Sequence, residues 1–238
     1  RGNAMQRQPP DDGSDLKQLF DAYGIVYDKN KVLGDRKGAQ RVSAGNDALG
    51  RPVITDYLAW ITLTGDQINR GDVVSSDLEQ ITLAASGFIG KAKDAKYDMQ
   101  PLLVSSREAM AIDVAKIKKD PHPAKLLQDF KASGEPFIVA ARITGTFKSA
   151  FPDGPPKDKI REDIAAARKK KGEKLVPAQK HLKEGIKPAS MIVVADTDML
   201  VDRFWVRSQD FFGKRVDVPF ANNADFLSNA VDNMAGTA

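Results

Sequence analysis

The chain contains no cysteine, which excludes a thiol nucleophile, a disulfide framework and every cysteine-based zinc or iron-sulfur site. Only two histidines occur, His122 in "DPHPAK" and His181 in "QKHLKEG". Both lie in polar segments that read as surface, so a serine hydrolase would lack its base and a zinc site its ligands. Neither G-x-G-x-x-G nor G-x-x-x-x-G-K-[ST] is present. A nucleotide-hydrolysing or dinucleotide-binding role therefore lacks its usual phosphate loop, and the chain does not read as an ATPase motor. No cofactor is expected. Long apolar runs are absent too: Met191 to Ala195 is among the longest, far short of the roughly 20 residues that cross a bilayer. A soluble chain is expected, and the hydrophobic and charged fractions, 42% and 29%, are those of an ordinary folded protein.

The net charge of +4 is unevenly spread. Residues 157–187 hold eleven Lys and Arg against five Asp and Glu, an excess of six that leaves the remainder at −2. No aromatic residue lies within that segment to stack on bases, so a solvated face explains it better than a nucleic-acid surface. Its helix-forming residues carry only a thin apolar stripe, Ile160, Ile164 and Ala167. The segment reads as a basic helical or loop insertion between two core strands.

The start, "RGNAMQ" followed by "QRQPPDDG", reads as a tag remnant and linker over residues 1–13, with one domain over 14–238. Ser14 and Asp15 supply cap-type side chains ahead of Leu16, Leu19, Phe20 and Tyr23, which share one helix face that Gly24 ends. Strand-type runs follow: "KVLGD" (31–35), "QRVSAG" (40–45) and "RPVITDYLAWITLTGDQI" (51–68). Four further apolar runs end in small or polar residues: "EQITLAASG", "MQPLLVSSREA", "EPFIVAARITG" and "ASMIVVADTD". Runs of that kind suit strands covered on both faces, and "DPHPAKLLQDFKASG" and "NNADFLSNAVDNMAG" read as helices among them. In the last, Asn222 or Asn223 is the expected cap and Gly236 the stop. The expected class is α/β: a mixed, mostly parallel sheet with flanking helices, flavodoxin- or Rossmann-like.

Two places invite chemistry. "MIVVADTDML" ends a buried-type strand in Asp196 and Asp198, the pattern with which haloacid-dehalogenase-type phosphotransferases begin. Leu200, however, stands where that motif has Thr or Val. The 38 residues after it also offer no adjacent acid pair to complete a magnesium site. The alternatives are a strand end with turn-forming acids, or a ligand or metal site at the carboxyl edge of the sheet. "LLVSSREA" places Ser105 and Ser106 at another strand end, but neither has the flanking glycines of a nucleophile elbow. No catalytic residue and no metal ligand is assigned. Asp196, Asp198, Ser105 and Ser106 remain the candidate ligand-binding residues, and a hydrolase or carbohydrate-binding domain using that edge is the alternative reading. "ITGTFKSAFPDGPP" (143–156) reads as a rigid structural turn.

Five stretches, in order, resemble the extracytoplasmic part of GldG-like proteins, gliding-motility-type auxiliary components of ABC transport systems. They are "LFDAYGIVYDKNKVLGD" (19–35), "LLVSSREA" (102–109), "VAARITGTFKSAFPDGPP" (139–156), "IVVADTDMLVDRFWVRSQDFFG" (192–213) and "NNADFLSNAVDN" (222–233). The resemblance implies a non-enzymatic periplasmic or extracytoplasmic domain. Transmembrane helices outside this chain would anchor it to the inner membrane beside a permease and a separate ATPase. It also implies a further α/β segment ahead of residue 15, so that "QRQPPDDG" becomes a loop inside the natural domain. A partial sheet of this kind has an edge open to pairing with another chain, a homo- or hetero-oligomer.

Overall fold

The computed structural model describes residues 16–118, 122–154 and 181–236. Strand accounts for 41% of them and helix for 21%. In order they form α1 (Lys17–Tyr23), β1 (Ile25–Tyr27), β2 (Lys31–Asp35), β3 (Ala39–Asn46), β4 (Pro52–Thr64), β5 (Gln80–Ala84), β6 (Ile89–Lys91), β7 (Asp98–Val104) and β8 (Ala109–Asp113). Then come α2 (Val114–Lys118), α3 (Pro123–Gln128), β9 (Ile138–Gly145), β10 (Ala189–Val194), β11 (Val206–Phe211), β12 (Lys214–Pro219) and α4 (Asn223–Ala235).

The expected mostly parallel, flavodoxin- or Rossmann-like α/β fold is not what forms: among the described residues every strand pairing is antiparallel. β9 is the centre of a five-stranded sheet, with β7 and β10 paired to it and β6 and β1 continuing from its start. A second sheet has the order β3-β4-β5, and β2-β8 and β11-β12 are two-stranded.

The physical reason for the difference lies in what a continuous apolar run encodes. In β9, Ala140 packs into one hydrophobic cluster, while Ala141 and Ile143 pack into another. The run therefore reports burial on both faces, which an antiparallel strand between two layers also has. Parallel pairing needs a crossover of a dozen or more residues, usually a helix. The helices between β8 and β9 are only five and six residues long, and Leu126 of α3 packs beside Leu58 and Ile112.

Three clusters make up the core. The largest joins Ile61 and Leu63 of β4, Ile81 and Leu83 of β5, Leu102 and Leu103 of β7 and Phe226 of α4. A second gathers Val32, Leu58, Ile112 and Leu126. The third gathers Ile25, Ile89, Tyr97 and Ile143 under the partly buried Phe20 and Tyr23 of α1. Each fully buried Leu or Ile contributes roughly 2 kcal/mol relative to exposure.

The sequence periodicity located α1 and its end. Gly24 adopts φ 70° and its N–H closes the helix on the carbonyls of Asp21 and Phe20. Ser14 and Asp15, the expected caps, lie outside the described residues, as does most of the basic segment 157–187. Its end, residues 181–187, is described: Lys183 O accepts from Ser149 N–H at 2.8 Å and Gly185 N–H donates to Phe147 O at 2.9 Å. No helix among the described residues is long and apolar enough to cross a membrane.

Candidate functional site

β7 and β10 both pair antiparallel with β9, on its two sides, so they run parallel to one another and their carboxyl ends reach the same edge of the sheet. Ser105 N–H donates to Phe137 O at 2.8 Å on one side of β9, and Ala195 N–H donates to Val139 O at 2.9 Å on the other. Four candidate residues thus share one edge. The side chains of Asp196, Ser105 and Ser106 take separate hydrogen-bond partners there.

Asp196 is buried and acts as a clasp. One carboxyl oxygen accepts from Ala84 N–H of β5 at 2.9 Å and the other from Met199 N–H at 3.2 Å, which ties the end of β10 to the second sheet and to the 3-10 turn 198–200. Burial raises its pKa to about 7, against the pull of the backbone donors at Ala84 and Met199. Asp198, two residues on, is exposed.

The serines are equally committed. Ser105 Oγ accepts from Phe137 N–H at 2.8 Å and donates to Ser106 O at 2.9 Å. Ser106 Oγ donates to Asp35 Oδ1 at 2.8 Å and accepts from Glu108 N–H at 3.0 Å. Each hydroxyl therefore spends its proton on an oxygen inside the fold, and no histidine is among these partners. Two surface cavities, about 420 Å³ beside Lys148 and Lys183 and about 440 Å³ beside Glu79 and Asn222, are lined by none of the four candidates. Among the described residues no cluster of three or more His, Asp or Glu is placed to hold a metal.

Sequence reasoning passed over the groups on which these candidates depend. Asp35, the last residue of "KVLGD", is completely buried and accepts four donors: Ser106 N–H at 2.6 Å, Ser106 Oγ–H at 2.8 Å, Gly38 N–H at 3.2 Å and Gln67 Nε2 at 3.4 Å. A strand-terminal Asp signals a turn, and nothing local says that its partners come from 32 and 71 residues away.

Of the two expected cap candidates, Asn222 and Asn223, one takes the cap position. Asn222 does occupy the N-cap position of α4, but without a side-chain capping bond. Instead, Asn222 Oδ1 accepts from Glu79 N–H at 3.0 Å and Gln80 N–H at 3.2 Å. Buried Asn223 imitates a strand: its Oδ1 accepts from Thr82 N–H at 3.0 Å, and its amide donates to Thr82 O and Met199 O at 2.7 Å each. The pair satisfies the free edge of β5, which is otherwise the open side of the second sheet.

A third polar element crosses the main sheet. Arg142 of β9 makes a two-pronged ion pair with Asp72, 2.7 and 2.9 Å, with side-chain exposures of only 16% and 5%. Arg142 holds the Asp72 carboxyl below the usual carboxylate range, and Asp72 in turn accepts from Val74 N–H at 2.9 Å. Arg142→Met is expected to lower stability by about 3 kcal/mol, because it leaves a buried carboxylate unpaired. The check is the urea midpoint of that variant beside Arg142→Met/Asp72→Leu, which should recover most of the loss. The Asp72 contribution is present above its ordinary pKa and is lost as pH falls through the lowered one.

The arrangement holds two sheets and a helix in register. No curated protein and no solved structure matches the chain. A family model described as an ABC-type uncharacterized transport system matches residues 1–230. On that coverage the chain belongs to the ABC-type transport auxiliary family.

Proposed function

We propose that the chain is the non-enzymatic, extracytoplasmic module of a GldG-like, gliding-motility-type auxiliary component. It is anchored to the inner membrane by helices outside this sequence and contacts the substrate or the permease and ATPase subunits of its transporter. Residues 14–238 act as one unit, with the basic segment 157–187 as an insertion. The observation that carries this reading is the commitment of Asp196, Ser105 and Ser106 to internal hydrogen bonds, beside a family match that spans residues 1–230. These groups build a scaffold, and of the four candidates exposed Asp198 is the one an edge ligand would meet first.

Co-expression with a permease and ATPase encoded beside it, followed by affinity purification from detergent extract, tests the reading. Recovery of both subunits in fixed ratio is the expected result. A purified chain that turns over phosphate esters, peptides or glycans, and loses that activity on Asp196→Ala, overturns it.

A further inference from the structure

The hairpin β11-β12 pairs with nothing but itself among the described sheets. Its two-residue turn is Phe212-Gly213, with φ 51° and 78°. Paired strands joined by two residues at positive φ favour Asn-Gly, since a bulky side chain at positive φ meets its own backbone. Phe212 nonetheless occupies that position and is 98% exposed, beside Phe211 at 63%. The two rings meet edge to face at 5.3 Å. Among the described residues the ring of Phe212 meets that of its chain neighbour, so little in them offsets the unfavourable turn, which suits a contact made from outside.

Cross-strand register sorts the charges. Arg207 lies opposite Val218, Gln209 opposite Val216 and Phe211 opposite Lys214, so these six side chains share one face. That face carries two cations and no acid. Val216 and Val218 are 44% and 42% exposed on it. The acids Asp210 and Asp217 lie on the opposite face, where Arg215 reaches Asp217 at 3.5 Å.

We propose that the Phe211-Phe212 tip of this hairpin inserts into the headgroup layer of a bilayer bearing anionic lipids, with Lys214 and Arg207 against the phosphates. Adjacent phenyl rings at an apex suit an apolar layer reached end-on, and Lys214 directly opposite Phe211, with Arg207 further up the same face, suits a negatively charged layer above it. A strand-adding protein partner would instead use the hairpin's edges. The inference rests on the transport reading for the nearness of a membrane, but its test needs the chain alone.

Co-sedimentation of the purified chain with vesicles of phosphatidylcholine, with and without phosphatidylglycerol, is the experiment. Binding is expected only where phosphatidylglycerol is present, with a loss of about tenfold or more in Phe211→Ser/Phe212→Asn and a partial loss in Lys214→Glu. Phe212→Asn relieves the turn, so its melting temperature should hold or rise, and lost binding cannot then be ascribed to unfolding. Absence of binding to phosphatidylglycerol vesicles, equal binding to both vesicle types, or undiminished binding of the double variant overturns the proposal. So does lipid-free dimerisation that the double variant abolishes, which would assign the tip to a second copy of the chain. None of these outcomes depends on recovering a permease or an ATPase.

Discussion

Asp35→Ala is expected to destabilise the protein by about 5 kcal/mol, the largest loss from a single polar substitution at this sheet edge. Four donors lose their acceptor together: two from Ser106, one from Gly38 and one from Gln67. Leaving a buried donor unpaired costs about 1–3 kcal/mol, and more where the acceptor was charged, so even partial relief by entering water leaves a large deficit. Asp35→Asn separates charge from shape. Its amide nitrogen must face either Gly38 N–H or Ser106 N–H, since the two Asp35 oxygens receive one backbone donor each. The isosteric variant should therefore still lose about 2 kcal/mol. Urea unfolding at unchanged m-value checks both. An Asp35→Ala midpoint close to that of wild type would mean that the Ser106 loop holds itself in place.

The reach of sequence reasoning here follows from what each signal physically reports. "KVLGD" is β2 to the residue, and the four apolar runs all contain strands. Periodicity and β-branched content act locally, and local forces decide whether a segment is extended. Pairing direction is not local. Ala140 and Ala141 are buried on opposite faces of β9 whichever way the neighbouring strands run, so burial gave no vote on parallel against antiparallel. The grouping of Ser105, Ser106, Asp196 and Asp198 at one edge rested on their being strand ends, and the strand ends do share an edge. What their side chains do there depends on Asp35, Phe137 and Ala84, each far away in sequence. The hairpin β11-β12 left a fainter trace, a Phe-Gly pair between alternating residues, because its turn carries Phe where Asn announces such a turn.

Asp196 should make the protein less stable as pH rises through neutrality. Its folded pKa, about 7, lies above the ordinary carboxyl value of 3.8 because burial penalises the charged form. A carboxyl shifted in that direction imposes no penalty below its unfolded pKa and its full penalty above the folded one. The stability it permits at low pH is thus eroded from about pH 4 to about pH 7. At about 1.4 kcal/mol per unit, a shift of this size amounts to about 4 kcal/mol over the whole span. Asp72 acts with opposite sign and at the acid end, since its pKa is lowered by Arg142. Between about pH 5 and pH 8 the Asp196 slope therefore stands clear of it, and should amount to about 3 kcal/mol. Asp196→Asn keeps one acceptor for Ala84 or Met199 and loses the other, so its stability is offset at every pH, but it has no proton to release. The decisive quantity is the change in urea midpoint between the two pH values. It should be large in wild type and much smaller in Asp196→Asn, and equal changes in the two proteins would show that the Asp196 carboxyl titrates as an ordinary surface acid. The burial that raises the Asp196 pKa comes from its place between the end of β10 and β5, where Ala84 N–H and Met199 N–H meet its two oxygens and favour the charged form against that burial.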